Sequence, residues 1–268
     1  MKKTLVSPKR GEPSSAGGQP NIVLLIADDM TYRAVGALHN RRVHTPNLDH
    51  LVAGGCGFTH AFHQGSWTPA ICIASRTMMH TGLTTFHAES AGDDVPLWPQ
   101  ALTQVGYHTH LIGKWHLSQT NLERAFRTWG PLGPAGMFES SPVNGPAGKI
   151  VDVPVYQHSI FPTVHELLGL PISNTVEFPS LVELLHGPSR EIYPAVFCRY
   201  RDFQRSVRTR RHKLIYYPHV DVVQLFDLQR DPWETTNLNA SARHATVRKT
   251  LWRTLQQFER ELDDPTKV

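Results

Sequence analysis

Three short stretches carry side chains whose types and spacing could do chemistry. Asp28 and Asp29 are adjacent carboxylates directly behind an apolar run. Two such groups repel unless a cation or a proton comes between them, and their hard oxygens suit Ca2+ or Mg2+. The plainer reading has them capping a turn and facing water. Cys72 and Arg76 stand four apart, hence on one face of a helix. At a helix start, backbone N–H groups and the helix dipole favour an anion, and a guanidinium is well suited to hold it. A lone Cys equally reads as a small buried hydrophobe. Lys114 and His116 follow Gly113. Two apart on an extended backbone, they point the same way and could grip an anion and exchange a proton. The chain has 16 His, so an incidental loop His beside an exposed Lys is the alternative.

The elements that must position these groups read as follows. Residues 21–27 are continuously apolar, the pattern of a strand buried on both faces of a parallel sheet. Asp28 and Asp29 would then lie at its carboxyl end, where open sheets bind ligands. Thr45 reads as the N-cap, and Pro46 as the first residue, of a short helix. Residues 75–81 read as a helix ended by Gly82, and 99–105 as another closed by Gly106. Residues 107–113 return as a strand. This β-α-α-α-β order predicts an α/β class with a mostly parallel sheet flanked by helices.

Residues 130–148 are rich in Gly and Pro and have no period, so they read as a linker. A helix over 162–168 stops at Gly169 and Pro171. Residues 207–217 and 222–228 read as two antiparallel strands. Val247, Leu251, Leu255, Phe258 and Leu262 recur three and four apart, which predicts an amphipathic helix docking on something. The expected organisation is a disordered tail over 1–20, an α/β domain over 21–190 and a small α+β subdomain over 191–268.

The totals allow this but do not choose a chemistry. A chain of 268 residues, 40% hydrophobic and 19% charged, is ordinary for a globular protein. The net charge of +4 suits an anionic ligand without arguing for one. The one basic cluster, 205–213, lacks a recognition motif and reads as a solvated face rather than a nucleic-acid patch. Cys56, Cys72 and Cys198 do not read as a disulfide framework. No apolar run is long enough to cross a membrane. Lys2 and Lys3 have no apolar stretch behind them, so the chain as written reads as cytoplasmic. An upstream start would make it periplasmic or secreted.

Taken in order, these stretches resemble the type I sulfatases, the formylglycine-dependent members of the alkaline-phosphatase-like superfamily. The apolar run with Asp28 and Asp29 is similar to the family's first metal-binding element. Residues 45–49 are similar to its next helix opening. Cys72 to Arg76 resembles the signature Cys-x-Pro/Ala-Ser-Arg, with Ala74 in place of the commoner Pro. Residues 113–116 match its Gly-Lys-Trp-His. Residues 161–169 resemble a late helix and 225–238 a closing element. The resemblance covers residues 21 to roughly 260.

The resemblance implies sulfate-ester hydrolysis of an aryl or carbohydrate sulfate. It implies Asp28 and Asp29 on Ca2+, with Mg2+ as the other candidate. Cys72, oxidised to formylglycine by a formylglycine-generating enzyme, would be the nucleophile. Arg76 would orient the formylglycine hydrate, and Lys114 and His116 would hold sulfate oxygens or steady the hydrate. It also implies a central segment that this chain lacks: 95–151 contain no Asp, and no later Asp precedes Asn or His. Glu123, Glu139 or Asp152 could replace the missing metal ligands, and Lys213 a late active-site Lys. A non-catalytic binding protein on the same scaffold and a phosphoesterase relative are the competing functions.

Overall fold

The computed structural model describes residues 20–38, 40, 42–132 and 149–266. The tail expected over 1–20 lies outside them except for Pro20, as do Glu139 and the linker from residue 133 onward.

In chain order the described residues form α1 (Pro46–Gly54), β1 (Cys56–Phe58), β2 (Ala61–Phe62), β3 (Gly65–Ser66), α2 (Ile71–Thr81), α3 (Thr85–Ser90) and α4 (Trp98–Gln104). There follow β4 (His110–Gly113), α5 (Gln119–Ala125), β5 (Thr128–Leu132), β6 (Lys149–Val151), β7 (Val155–Tyr156), α6 (Ile160–Leu167) and α7 (Val182–His186). The last elements are β8 (Val196–Tyr200), β9 (Gln204–Arg208), β10 (His212–Tyr217), β11 (Val222–Asp227) and α8 (Ala245–Glu261).

Parallel pairing is present as short ladders. β1 pairs with β6, β2 with β7, and β4 with β5, each as a separate two-stranded sheet. The expected strand at 21–27 is a correction. It forms no ladder among the described residues, and only Ile22 is buried while Leu25 is exposed. A strand buried on both faces needs neighbours for its N–H and C=O groups, and the described residues offer none here. Ile22 instead packs with Trp98, Leu102, Tyr107, Phe161 and Val164. Ile112, Trp129, Leu132 and Ile150 are also exposed, all on strands of these short ladders.

The largest sheet is C-terminal, in the order β11-β10-β9-β8-β3. Its first four strands are antiparallel neighbours, and β3 joins β8 in parallel through Gly65 and Ser66. Gly65 has φ 92°, and a Cβ there would lie 1.6 Å from the carbonyl oxygen of Arg199, so only glycine lets this edge form. The stretch 207–217, read as one strand, is a hairpin. Its turn contains no Gly or Pro. Thr209 closes it: its N–H donates to the His212 carbonyl at 2.9 Å, and its hydroxyl accepts from the His212 N–H at 3.0 Å. α8 lies across this sheet as its spacing predicts, with Leu251 and Leu255 in one core with Phe197, Val207, Leu214 and Leu225.

Helix ends follow local chemistry. α2 starts a full turn before the expected residue 75 and stops where Gly82, at φ 71°, donates its N–H to the Met78 carbonyl at 2.8 Å. Thr45 does not cap α1 as expected. Its hydroxyl donates to Asp49 Oδ1 and accepts from the Gly36 N–H, both at 2.8 Å. Residues 130–132, expected in the linker, belong to β5.

An ionic cluster ties α3 to the segment that follows α8. His87 Nδ1 lies 2.5 Å from Glu177 Oε1, and its Nε2 lies 3.2 Å from Asp263 Oδ2. Burial opposes protonation of this imidazole, but its bonds to Asp263 and Glu177 prevail and raise its pKa above 6.5. A raised pKa means the clamp stabilises fully below the ordinary value of 6.5 and fades as pH rises through the folded-state value. His87→Gln therefore lowers Tm in mildly acidic buffer and lowers it less in alkaline buffer. Equal Tm losses in both buffers would rule out the ionic clamp.

Candidate functional site

The site is built on the first turns of α2. Cys72, partly buried, begins a row that continues through Arg76 to His80, at intervals of four residues on one helix face. Arg76 is 6% exposed. Beneath it the His80 ring sits against Trp115 at 4.9 Å and Trp98 at 6.0 Å. Burial, then the neighbouring Arg76, pulls the His80 pKa down to about 3, so it stays neutral. The aromatic packing thus adds no competing charge beside the buried Arg76.

β4 delivers the second cation. It ends at Gly113, whose φ of 97° turns the chain, and Trp115 is pinned by its indole N–H to the Ser118 carbonyl at 2.9 Å. Lys114 between them extends Nζ to Asp28 Oδ2 at 2.5 Å. Arg76 Nη2 reaches Asp28 Oδ1 at 3.3 Å, and Arg76 Nη1 donates to the Lys114 carbonyl at 2.9 Å. The bond from Lys114, opposed by burial and reinforced by Arg76, lowers the Asp28 pKa. The Lys114 pKa is raised first by Asp28, against burial, and then by hydrogen bonding and charge interaction with Cys72. Cys72, Arg76, Lys114 and Asp28 therefore form one cluster.

Asp29 and His116 do not join it. Asp29 is exposed at φ 54° and His116 exposed at φ 73°, and neither has a hydrogen bond or ion pair among the described residues. The left-handed turn at His116 breaks the extended geometry that would have aligned it with Lys114. The proposed stand-ins are also placed elsewhere. Lys213 pairs with Glu234 at 2.8 Å, Glu123 accepts from Gln119 at 2.9 Å, and Asp152 holds Arg210 at 2.8 Å and His60 at 2.9 Å. No group of three His, Cys, Asp or Glu residues able to hold a metal ion occurs among the described residues.

Ca2+ takes six to eight oxygen ligands. Here both oxygens of Asp28 already face cations, and Asp29 stands apart in solvent. This donor set does not fit Ca2+. The thiol position does fit an oxidised nucleophile: Cys72 is free, only partly buried and beside an ammonium. Burial raises the pKa of the Cys56 thiol and pushes that of Cys198 up to about 12.

Two features were missed by sequence reasoning. Gln157 donates to Ser75 on α2, linking the site helix to the start of α6. His80 was visible only as the next step in the four-residue row from Cys72 and Arg76. The basic cluster over 205–213 needs correction too. Arg205 is buried on Asp264, while Arg210 and Arg211 are exposed and paired with Asp152 and Asp227. A cavity of about 210 Å³ lies on the neighbouring row of α2, lined by Trp67, Ile73, Thr77, Glu89, Asp93 and Asn121, so it flanks the ionic cluster without containing it.

Comparison with known proteins gives a consistent set of relatives. The sulfatase family model matches residues 20–170, and the N-sulphoglucosamine sulphohydrolase C-terminal model matches 140–261. Arylsulfatase J of Mus musculus is 37% identical over 117 residues, covering 41% of this chain and 19% of that protein. Arylsulfatase A of Bos taurus is 28% identical over 215 residues, covering 73% of this chain and 38% of that protein. The matched stretches thus span well under half the length of these curated relatives. Among solved structures, BT4656 in complex with its substrate D-glucosamine-2-N,6-O-disulfate superposes with a TM-score of 0.79 at 13% identity, over 92% of this chain and 99% of that one. A phosphonate monoester hydrolase of Agrobacterium radiobacter gives 0.68 at 14% identity, over 88% and 94%.

Proposed function

Because the chain belongs to the sulfatase family, with the alkaline-phosphatase-like α/β fold of the sulfatase structures it matches, we propose that it hydrolyses sulfate esters at the start of α2. The observation that carries this reading is the Lys114 ammonium and the Arg76 guanidinium meeting at Asp28, with Cys72 one turn before Arg76 on α2. Oxidation of Cys72 to formylglycine, by a formylglycine-generating enzyme, and addition of water to the aldehyde would give a geminal diol: one hydroxyl attacks sulfur and displaces the alcohol, and the other lets the sulfated intermediate collapse to aldehyde and sulfate. Arg76 and Lys114 are the two cations that would hold sulfate oxygens beside it, through charge-assisted hydrogen bonds. His116 is turned away from this cluster, so no role at the leaving oxygen is assigned to it. The substrate class is a carbohydrate or aryl sulfate, the former supported by the disulfated glucosamine that BT4656 binds. No step is assigned to Ca2+, which the described donors do not fit.

The test is release of inorganic sulfate from a panel of aryl and carbohydrate sulfates. It uses protein in which mass spectrometry confirms formylglycine at position 72, with Cys72→Ala as control. Release should fall to background in the control, a loss of at least about a hundredfold. Release that persists in Cys72→Ala overturns the reading. A second reading, oxyanion binding without turnover, is favoured by the engagement of both cations with Asp28. It is selected if confirmed formylglycine protein binds a sulfate ester yet releases no more sulfate than the control.

A further inference from the structure

We propose that Asp28 is the built-in counter-ion of an oxyanion site made by Arg76 and Lys114, rather than a ligand of a divalent cation. Sulfate and the Asp28 carboxylate then compete for the same two cations. The inference deepens the reading above and rests on its sulfate site, but it does not depend on turnover.

The geometry supports it atom by atom. Asp28 Oδ2 meets Lys114 Nζ at 2.5 Å and Oδ1 meets Arg76 Nη2 at 3.3 Å, so each carboxylate oxygen faces a different cation. Arg76 is fixed in place by its second nitrogen on the Lys114 carbonyl at 2.9 Å. A divalent ion bound to Asp28 would stand beside two positive charges in a partly buried setting, where repulsion is weakly screened. The neighbouring carboxylate that would have to share such an ion, Asp29, is exposed and turned at φ 54°. Arg76 and Lys114 side chains are only 7% and 14% exposed, so neither can leave its charge to water; each needs an anion. Asp28 is that anion in the free protein, and a sulfate group is the competing one.

The probe is inorganic sulfate, titrated calorimetrically into the full chain in EDTA-containing buffer. Asp28→Asn keeps the side-chain shape and removes the competing charge. It should bind sulfate at least about tenfold more tightly than the wild type. Unchanged or weaker binding by a folded Asp28→Asn, or binding by the wild type that EDTA abolishes, overturns the proposal. Should Asp28→Asn fail to fold, wild type and Asp29→Asn decide the matter. Asp29 is exposed, so its substitution leaves the fold intact. Ca2+ should produce no rise in wild-type Tm that Asp29→Asn removes, and such a rise overturns the proposal. A chain that binds sulfate in this manner yet never releases it from an ester would end the hydrolase reading alone.

Discussion

Asp264→Ala lowers the unfolding free energy by about 3–5 kcal/mol, because it strands a guanidinium inside the protein. The Arg205 and Asp264 side chains are 1% and 0% exposed. Arg205 Nη2 donates to Asp264 Oδ1 at 2.9 Å, and its Nε donates to the other oxygen, giving a bidentate pair. The remaining Arg205 nitrogen donates to the carbonyls of Arg201 at 2.6 Å and Gln204 at 3.2 Å. Removal of the carboxylate leaves a buried charge whose remaining hydrogen bonds go to the Arg201 and Gln204 carbonyls. The pair also ties the segment after α8 to β9, so its loss loosens the helix from the sheet. Urea denaturation of the variant checks the number, and a loss under about 1 kcal/mol would mean that water reaches Arg205. The double variant Arg205→Met with Asp264→Leu should recover most of the loss, because it removes both charges and keeps the volume.

Phe197→Ala should cost a similar 3–5 kcal/mol by a different route. Phe197, on β8, is fully buried against α8, with ring centroids 6.3 Å from Phe86 and 5.8 Å from Phe258. The backbone behind it cannot close the void. Tyr156 accepts from the Phe197 N–H at 2.6 Å and donates to its carbonyl at 3.2 Å, anchoring β8 from the opposite side. The cavity therefore stays open, and the cost includes lost contacts as well as lost burial. Phe197→Leu fills much of that space and should lose less than half as much. Denaturant midpoints for the two variants, at unchanged m, give the comparison. Equal midpoints for the Ala and Leu variants would mean the site collapses around the void.

What was legible in the sequence was local or strongly patterned. The 3- and 4-residue spacing in 247–262 announced α8, and Gly82 announced the end of α2. Cys72, Arg76, Lys114 and Asp28 were named from motif and spacing, and they meet in space. What failed depended on partners the sequence does not print beside the residue. The run 21–27 has the composition of a sheet interior, but a strand exists only through neighbours. The 209–211 turn carried no Gly or Pro because the Thr209 hydroxyl replaces them. Asp28 and Asp29 looked equivalent in sequence, yet a left-handed turn at Asp29 sends one into solvent while the other meets two cations. His116 was separated from Lys114 by the same kind of backbone reversal.

The parallel seam between β3 and β8 also sets a limit on descent. Gly65 would push any Cβ to 1.6 Å from the carbonyl oxygen and 2.6 Å from the carbonyl carbon of Arg199. Those atoms belong to the backbone of the adjoining strand, so no rotamer change can make way. Selection can exchange the surface around this seam freely, and core residues in compensating pairs. It has no single-step route away from glycine at position 65. A descendant lineage would have to dissolve the seam first and replace the residue afterwards.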